Sequence, residues 1–212
     1  MVLKKKSKLD YKKQFPDLYN SSNKECKIVD VPKMKFFKIS GKGNSNTSTE
    51  FQNAIKVLYS ASFTLKMKFV KKEDPNQDYV VPPLEALWYM ENDQPWSMNN
   101  KENWYFDLMI RIPDHVKDEQ IRKMIRLLEE KEDLQGISKL EVFEFTEGKC
   151  IQILHRGSYN EEPKTIKKMQ EFIKKMGFEL RGKHHEIYLS DPRRCKPQNL
   201  RTILRQPIRS KQ

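Results

Sequence analysis

Hydrophobic and polar positions follow two different rhythms along the chain. Apolar and polar residues alternate roughly in twos over Lys-Met-Lys-Phe-Phe-Lys-Ile, which predicts a strand over 28–40, interrupted at Pro32. Gly41-Lys42-Gly43-Asn44 reads as a turn. Thr47 or Ser48 makes a good N-cap with Glu50 just inside it. From there Phe51, Ala54, Ile55, Leu58, Leu65 and Phe69, with Ser62 in register, recur at three- and four-residue steps, predicting a helix over 48–69 with one apolar face. Strands are predicted at 84–90 and 104–112, the second closed by Pro113. A helix at 118–132 carries Ile121, Met124, Ile125 and Leu128 on one side. Runs at 139–146 and 149–155 read as a hairpin turning at Glu147-Gly148. A further helix at 161–176 has acid and proline in its first turn and Gly177 just past its end. Strands at 184–189 and 200–206 complete the pattern.

The two halves match in order and spacing. The first is strand, Gly turn, helix, strand, loop, strand; the second, from 149 onward, repeats it. Ile39-Ser40-Gly41 corresponds to His155-Arg156-Gly157, each about eight residues before its helix, and both halves have a proline at the last strand's end, Pro113 and Pro207. The reading is an α+β fold: a tandem strand–helix–strand–strand repeat with pseudo-twofold symmetry, antiparallel sheets with helices on one face, and a central ligand cleft. The repeats span about 25–115 and 138–208, joined by helix 118–132. Residues 1–24 are expected to form a basic arm, poorly ordered or draped on the surface.

Composition narrows the function classes. Hydrophobic residues make up 37% and charged residues 33% of 212 positions, so the chain is polar outside, while 11 Phe, 8 Tyr and 3 Trp still supply a core. No apolar run is long enough for a membrane helix, and no secretory leader is apparent at the first residues. Cys26, Cys150 and Cys195 are far apart without a CxxC, so a reduced, cytoplasmic chain without metal or disulfides is expected. The net charge of +12 sits largely at the ends, +5 over 1–13 and +3 over 205–212, leaving +4 for the rest. No nucleic-acid motif accompanies it, so nucleic-acid binding is disfavoured.

The repeat singles out one candidate for chemistry. Aligning Ala86-Leu87-Trp88 with Glu186-Ile187-Tyr188 puts Glu186 where the first copy has Ala86, and Tyr188 where it has Trp88. Strand alternation places Glu186 and Tyr188 on one face. A carboxylate in an aromatic cleft can act as general acid or base, or as counter-charge to a cation held against ring faces. Trp88, Tyr105, Phe106 and Tyr188 are candidate lining residues, with Tyr59 and Phe63 four apart on the first helix. Glu85 falls on the face opposite Trp88. His184 and His185 point to opposite faces and cannot readily share a metal ion. Gly41-Lys42-Gly43 lacks the full phosphate-loop pattern. Asp191-Pro192-Arg193-Arg194 reads as a charged, solvated turn.

Several segments together resemble the stand-alone GyrI-like small-molecule-binding proteins: Val29-Asp30-Val31-Pro32 with the glycine turn, Val80 through Trp88, Arg181-Gly182-Lys183-His184-His185-Glu186-Ile187-Tyr188 through Arg194, and Arg205-Gln206-Pro207. The resemblance covers about residues 10–208. It implies the tandem-repeat fold and a hydrophobic, often cationic or electrophilic small-molecule ligand met by Glu186, with Trp88 and Tyr188 at matching positions and Ala86 expected to line the same cleft. It also implies two alternatives. One is hydrolytic opening of cyclopropane-bearing DNA-alkylating natural products, a detoxification in which Glu186 and Tyr188 are catalytic. The other is a protein-interaction module of gyrase-inhibitor type. No cofactor is implied. Two departures, Ala86 for a frequent glycine and Phe106 for a frequent tryptophan, reshape the cleft. No helix-turn-helix precedes the domain, which disfavours direct transcription control.

Overall fold

The computed structural model describes residues 8–45, 47–91, 103–131 and 134–211. The predicted loop at 91–102 lies, beyond Glu91, outside the described residues. Two short helices, α1 (Tyr11–Gln14) and α2 (Pro16–Tyr19), precede β1 (Lys27–Lys42). Helix α3 (Thr49–Thr64) follows, capped by Ser48, whose side chain accepts from the Phe51 N–H. It runs on through a wider π-helical stretch, Leu65–Val70, into α4 (Lys71–Glu73), so the helical run predicted over 48–69 continues to Glu73. Then come β2 (Leu84–Tyr89), β3 (Tyr105–Arg111), α5 (Asp118–Glu129), β4 (Glu141–Arg156), α6 (Glu162–Lys175), β5 (Phe178–Leu180), β6 (His184–Tyr188) and β7 (Arg201–Ser210).

All strand pairs are antiparallel, in the order β4-β1-β3-β2-β6-β7-β5. Strand β4 also pairs with β7, so six of the strands close into a ring and β5 extends the far end of β7. The repeats β1-α3-β2-β3 and β4-α6-β6-β7 meet at the β2–β6 pair, where Ala86 lies opposite Glu186. A twofold at that pair carries Trp88 onto Tyr188.

The helices cover the outer face. Phe51, Ala54, Leu58 and Ala61 of α3, Leu65 of the π-helical stretch, and Ile121, Met124 and Leu128 of α5 pack onto Phe37, Ile39, Ala86, Phe106, Leu108 and Ile110. Helix α6 buries Ile166, Met169 and Ile173 against Ile151, Ile153 and Leu204. Gly41 is required where β1 passes β3, because a Cβ there would sit 2.4 Å from Phe106 Cζ.

Four expectations are corrected. The hairpin at Glu147-Gly148 is absent; β4 is one strand paired with β1 from Glu141 to Gln152. Gly148, at φ 70°, shifts the side-chain alternation by one instead of reversing the chain. Val29 and Val31, then Met34 and Phe36, reach the same inner cluster, so β1 shifts with it at Pro32-Lys33. Pro207 lies inside β7 and does not end it. The described part of the arm is not draped on the surface: Tyr11, Leu18 and Tyr19 are buried in the inner cluster with Leu87, Met109, Ile187 and Ile203. Arg205, counted with the basic C-terminal end, is buried too and bonds Glu147.

Candidate functional site

A cavity of about 570 Å³ opens on the outer face of the β2–β6 pair, between α3 and the start of α6. That volume lies in the range of small-molecule sites. Its floor carries Trp88 from β2 and Glu186 and Tyr188 from β6. The three side chains are linked: the Trp88 Nε1–H donates to Tyr188 OH at 3.3 Å, and Tyr188 OH donates to Glu186 Oε2 at 2.8 Å. Glu186 is 5% exposed. His184 shares its face, with Nε2 3.7 Å from Glu186 Oε1. Burial, with charged His185 next to it, pulls the His184 pKa down to about 3, so it meets Glu186 as a neutral ring.

Helix α3 supplies one wall, through Phe51, Ile55, Tyr59 and Phe63. Phe51 stacks on Trp88 at 5.7 Å between centroids, and Trp104 packs against Trp88 at 5.2 Å with its ring tilted. Tyr59 and Phe63 stack at 6.2 Å toward the opening, where Phe63 is half exposed. The second wall comes from the other repeat. Tyr159, in the single turn Tyr159–Glu161, sets its edge on the Tyr188 ring at 6.0 Å, and Glu162 opens α6. Burial drives the Tyr188 hydroxyl well above its ordinary range, as does Glu186; burial and then Glu162 and Glu186 do the same to Tyr159. Both are neutral phenols near carboxylates. The loop with Asp191 and Arg193 lines the rim. Arg193 is held there by Asp191 through its Nε at 3.0 Å and a terminal nitrogen at 2.9 Å.

Five residues singled out from sequence, Trp88, Tyr59, Phe63, Glu186 and Tyr188, therefore surround one cavity. Three do not. Ala86 is buried at the strand pair without reaching the opening, and Phe106 packs behind the wall against Phe51, at 5.1 Å, and over Gly41. Tyr105 faces the other side of the sheet, where it stacks on Tyr89 at 5.6 Å, because strand alternation sends it opposite to Phe106. Trp88 is also not directly across from Glu186: its cross-strand neighbour is His184, and it meets Glu186 through Tyr188. Sequence reasoning missed Glu162, Tyr159, Phe51 and Trp104. An aromatic residue at the very start of a predicted strand, as Trp104 is, reads only as core. Glu162, 3% exposed, was hidden because an acid in a helix's first turn is ordinary on dipole grounds. The Asp191-Arg193 turn, read as merely solvated, forms the rim.

Among the described residues no three His, Cys, Asp or Glu side chains are placed to share a metal ion, and no helix is long and apolar enough to cross a membrane.

Residues 24–209 match the model of a family described as the GyrI-like small molecule binding domain. No curated protein matches the chain. Among solved structures, an uncharacterized conserved protein from Listeria innocua is 34% identical, with a TM-score of 0.87 over 95% of this chain and 100% of that one. A hydrolase from the same organism is 32% identical, with a TM-score of 0.84 over 96% and 100%. The C-terminal domain of EcmrR shares the fold at 11% identity, with a TM-score of 0.56 over 88% and 98%.

Proposed function

The chain belongs to the GyrI-like small molecule binding domain family, and on that premise we propose that its outer-face cavity takes up planar, apolar, often cationic small molecules. One observation carries this reading: buried Glu186 stands on the floor of a cavity whose walls are aromatic rings. Ring faces carry negative charge density, and a carboxylate beside them adds to it, so an aromatic cation gains both stacking and charge complementarity. Glu162 adds a second acid to the same wall. Titration with crystal violet, a rigid aromatic cation, and its uncharged leuco form tests the reading. Glu186→Gln is expected to weaken crystal violet roughly ten- to hundredfold, the scale of one close charge contact, and to leave the leuco form nearly unchanged. Equal affinity of mutant and wild type for the cation would contradict it.

A second reading is hydrolysis, supported by the 2.8 Å Tyr188–Glu186 bond and by the hydrolase to which the chain is 32% identical. Here the ligand is an electrophilic cyclopropane conjugated to a carbonyl, as in DNA-alkylating natural products. Glu186 takes a proton from water as the water oxygen bonds to a ring carbon. The breaking carbon–carbon bond sends its pair into the conjugated carbonyl, which is then protonated. Tyr188 donates to Glu186, so its part is to orient the carboxylate rather than to meet the developing anion. Such proton transfer is worth ~10²–10⁴-fold. The two readings separate on turnover: unchanged ring opening in Glu186→Gln would remove the hydrolytic one.

A further inference from the structure

On the inner face of the same two strands lies a charged cluster that the cavity does not use. His185 sits with Nδ1 3.0 Å from both carboxylate oxygens of Glu147 on β4, and Nε2 3.0 Å from Glu85 Oε2 on β2 as an ion pair. Arg205, opposite His185 on β7, bonds Glu147 Oε2 at 3.1 Å and Gln152 Oε1 at 2.9 Å. The N-terminal segment closes the cluster on the same inner face. Tyr19 OH donates to Glu85 Oε1 at 3.2 Å, Arg205 donates to the Leu18 carbonyl at 2.9 Å, and the Gln152 amide donates to the Asp17 carbonyl at 2.8 Å and Ser21 Oγ at 2.7 Å. Glu85, Glu147, Gln152, His185 and Arg205 are all buried. So many buried polar groups with matched partners fix one arrangement of four strands, since any slip leaves a charge unpaired.

His185 is one residue from Glu186 and points the opposite way on a strand of only five residues. The Trp88–Tyr188–Glu186 relay spans β2 and β6 on the outer face; the Glu85–His185 contact spans the same strands on the inner face. We propose that His185 is a positioning residue for the ligand site: clamped between Glu85 and Glu147, it holds β6 against β2 so that Tyr188 and Glu186 stay aligned with Trp88, and residues 17–21 brace the clamp. The ligand role rests on the cavity reading above; the positioning itself does not.

His185 is charged at neutral pH. Burial lowers its pKa, but Glu147 and then Glu85 more than offset this, raising it to about 9. The ionisable groups around it are Glu85 on β2, Glu147 and Cys150 on β4, Arg205 on β7, Arg111 on β3, Tyr19 in the N-terminal segment and His184 beside it. Tyr19 and Cys150 are driven well above their ordinary range by burial, Arg205 is held above its own, and His184 stays low. His185 thus titrates apart from the groups whose shifts are known.

The test is the ¹H–¹⁵N spectrum of the full chain, following the Trp88 indole N–H (assigned with Trp88→Phe), together with crystal violet affinity. In wild type the indole resonance is expected to move with a midpoint near pH 9; in His185→Gln it is displaced at pH 7 and flat through that range, and the dye binds about tenfold more weakly, the scale of one misaligned hydrogen bond to a charge. Glu85→Gln, which keeps the side-chain shape, provides the same comparison if His185→Gln does not fold, and the wild-type titration needs no variant. An indole resonance unmoved by pH from 7 to 10 in wild type, or unchanged in a folded variant, overturns the proposal. A responsive indole in a protein that binds no dye upholds the positioning and removes the ligand reading instead.

Discussion

Trp88 and Tyr188 occupy equivalent places in the two repeats and are joined directly, indole N–H to phenol oxygen, at 3.3 Å. The two repeats therefore form an asymmetric pair: one member only donates, and the other accepts that bond and donates its own O–H to Glu186 at 2.8 Å. The second copy carries the acid where the first carries Ala86.

Removing the phenol oxygen breaks both links at once. Tyr188→Phe is expected to keep the fold and to weaken crystal violet binding about five- to tenfold, since a hydrogen bond contributes about 0.5–1.5 kcal/mol. Calorimetric titration beside a melting curve checks this. A variant with undiminished affinity shows that the relay does not orient Glu186.

Stability should follow pH on two sides of neutrality. The folded pKa of His185, about 9, lies above its unfolded value, so its contribution is complete below about pH 6.5 and is lost as pH rises through 9. Glu147 runs the other way. Burial would raise its pKa, but His185 and Arg205 hold it at about 2, so its contribution is present above about pH 4.5 and fades as pH falls toward 2. Urea midpoints from pH 3 to 10 should form a plateau between roughly pH 4.5 and 6.5 and fall on either side of it. In Glu147→Gln the acid-side fall should shrink, and the alkaline fall should shrink with it because His185 loses its main partner.

Arg205→Met leaves Glu147 with one cationic partner in the ring's interior. Breaking a buried pair from one side costs about 3–5 kcal/mol, so a large drop in the urea midpoint is expected. It should exceed that of Arg209→Met, whose exposed pair with Glu179 is worth at most about 1 kcal/mol. Equal effects would place Arg205 outside the structural network.

Gly41→Ala drives a methyl into the Phe106 ring, at 2.4 Å from Cζ. Overpacking of this kind costs about 1–3 kcal/mol. Adding Phe106→Leu should recover part of the loss in thermal melts; no recovery would mean that the strain lies in the β1–β3 backbone instead.

Local periodicity carried most of the element pattern, because each helix has a continuous apolar stripe and each strand a two-residue rhythm. The repeat then pointed to Glu186, since an acid aligned with an alanine breaks an otherwise apolar correspondence. The inner cluster was not legible in the same way. Glu85, Glu147, His185 and Arg205 are residue types that ordinarily face solvent, and only closure of the ring through β4–β7 turns their face inward. The apparent hairpin at Glu147-Gly148 came from the same local view: one glycine in the left-handed region shifts alternation as readily as it turns a chain. Leu18 and Tyr19 looked like stray apolar residues in a basic arm because their partners are more than sixty residues away.

The most direct measurement is a crystal structure of the protein with crystal violet. The dye should lie on the β2–β6 floor against Trp88 and Tyr188, its charged centre within about 6 Å of the Glu186 carboxylate, close enough for the charges to interact. An empty cavity with the dye seated elsewhere on the surface would contradict the assignment of this cavity as the ligand site.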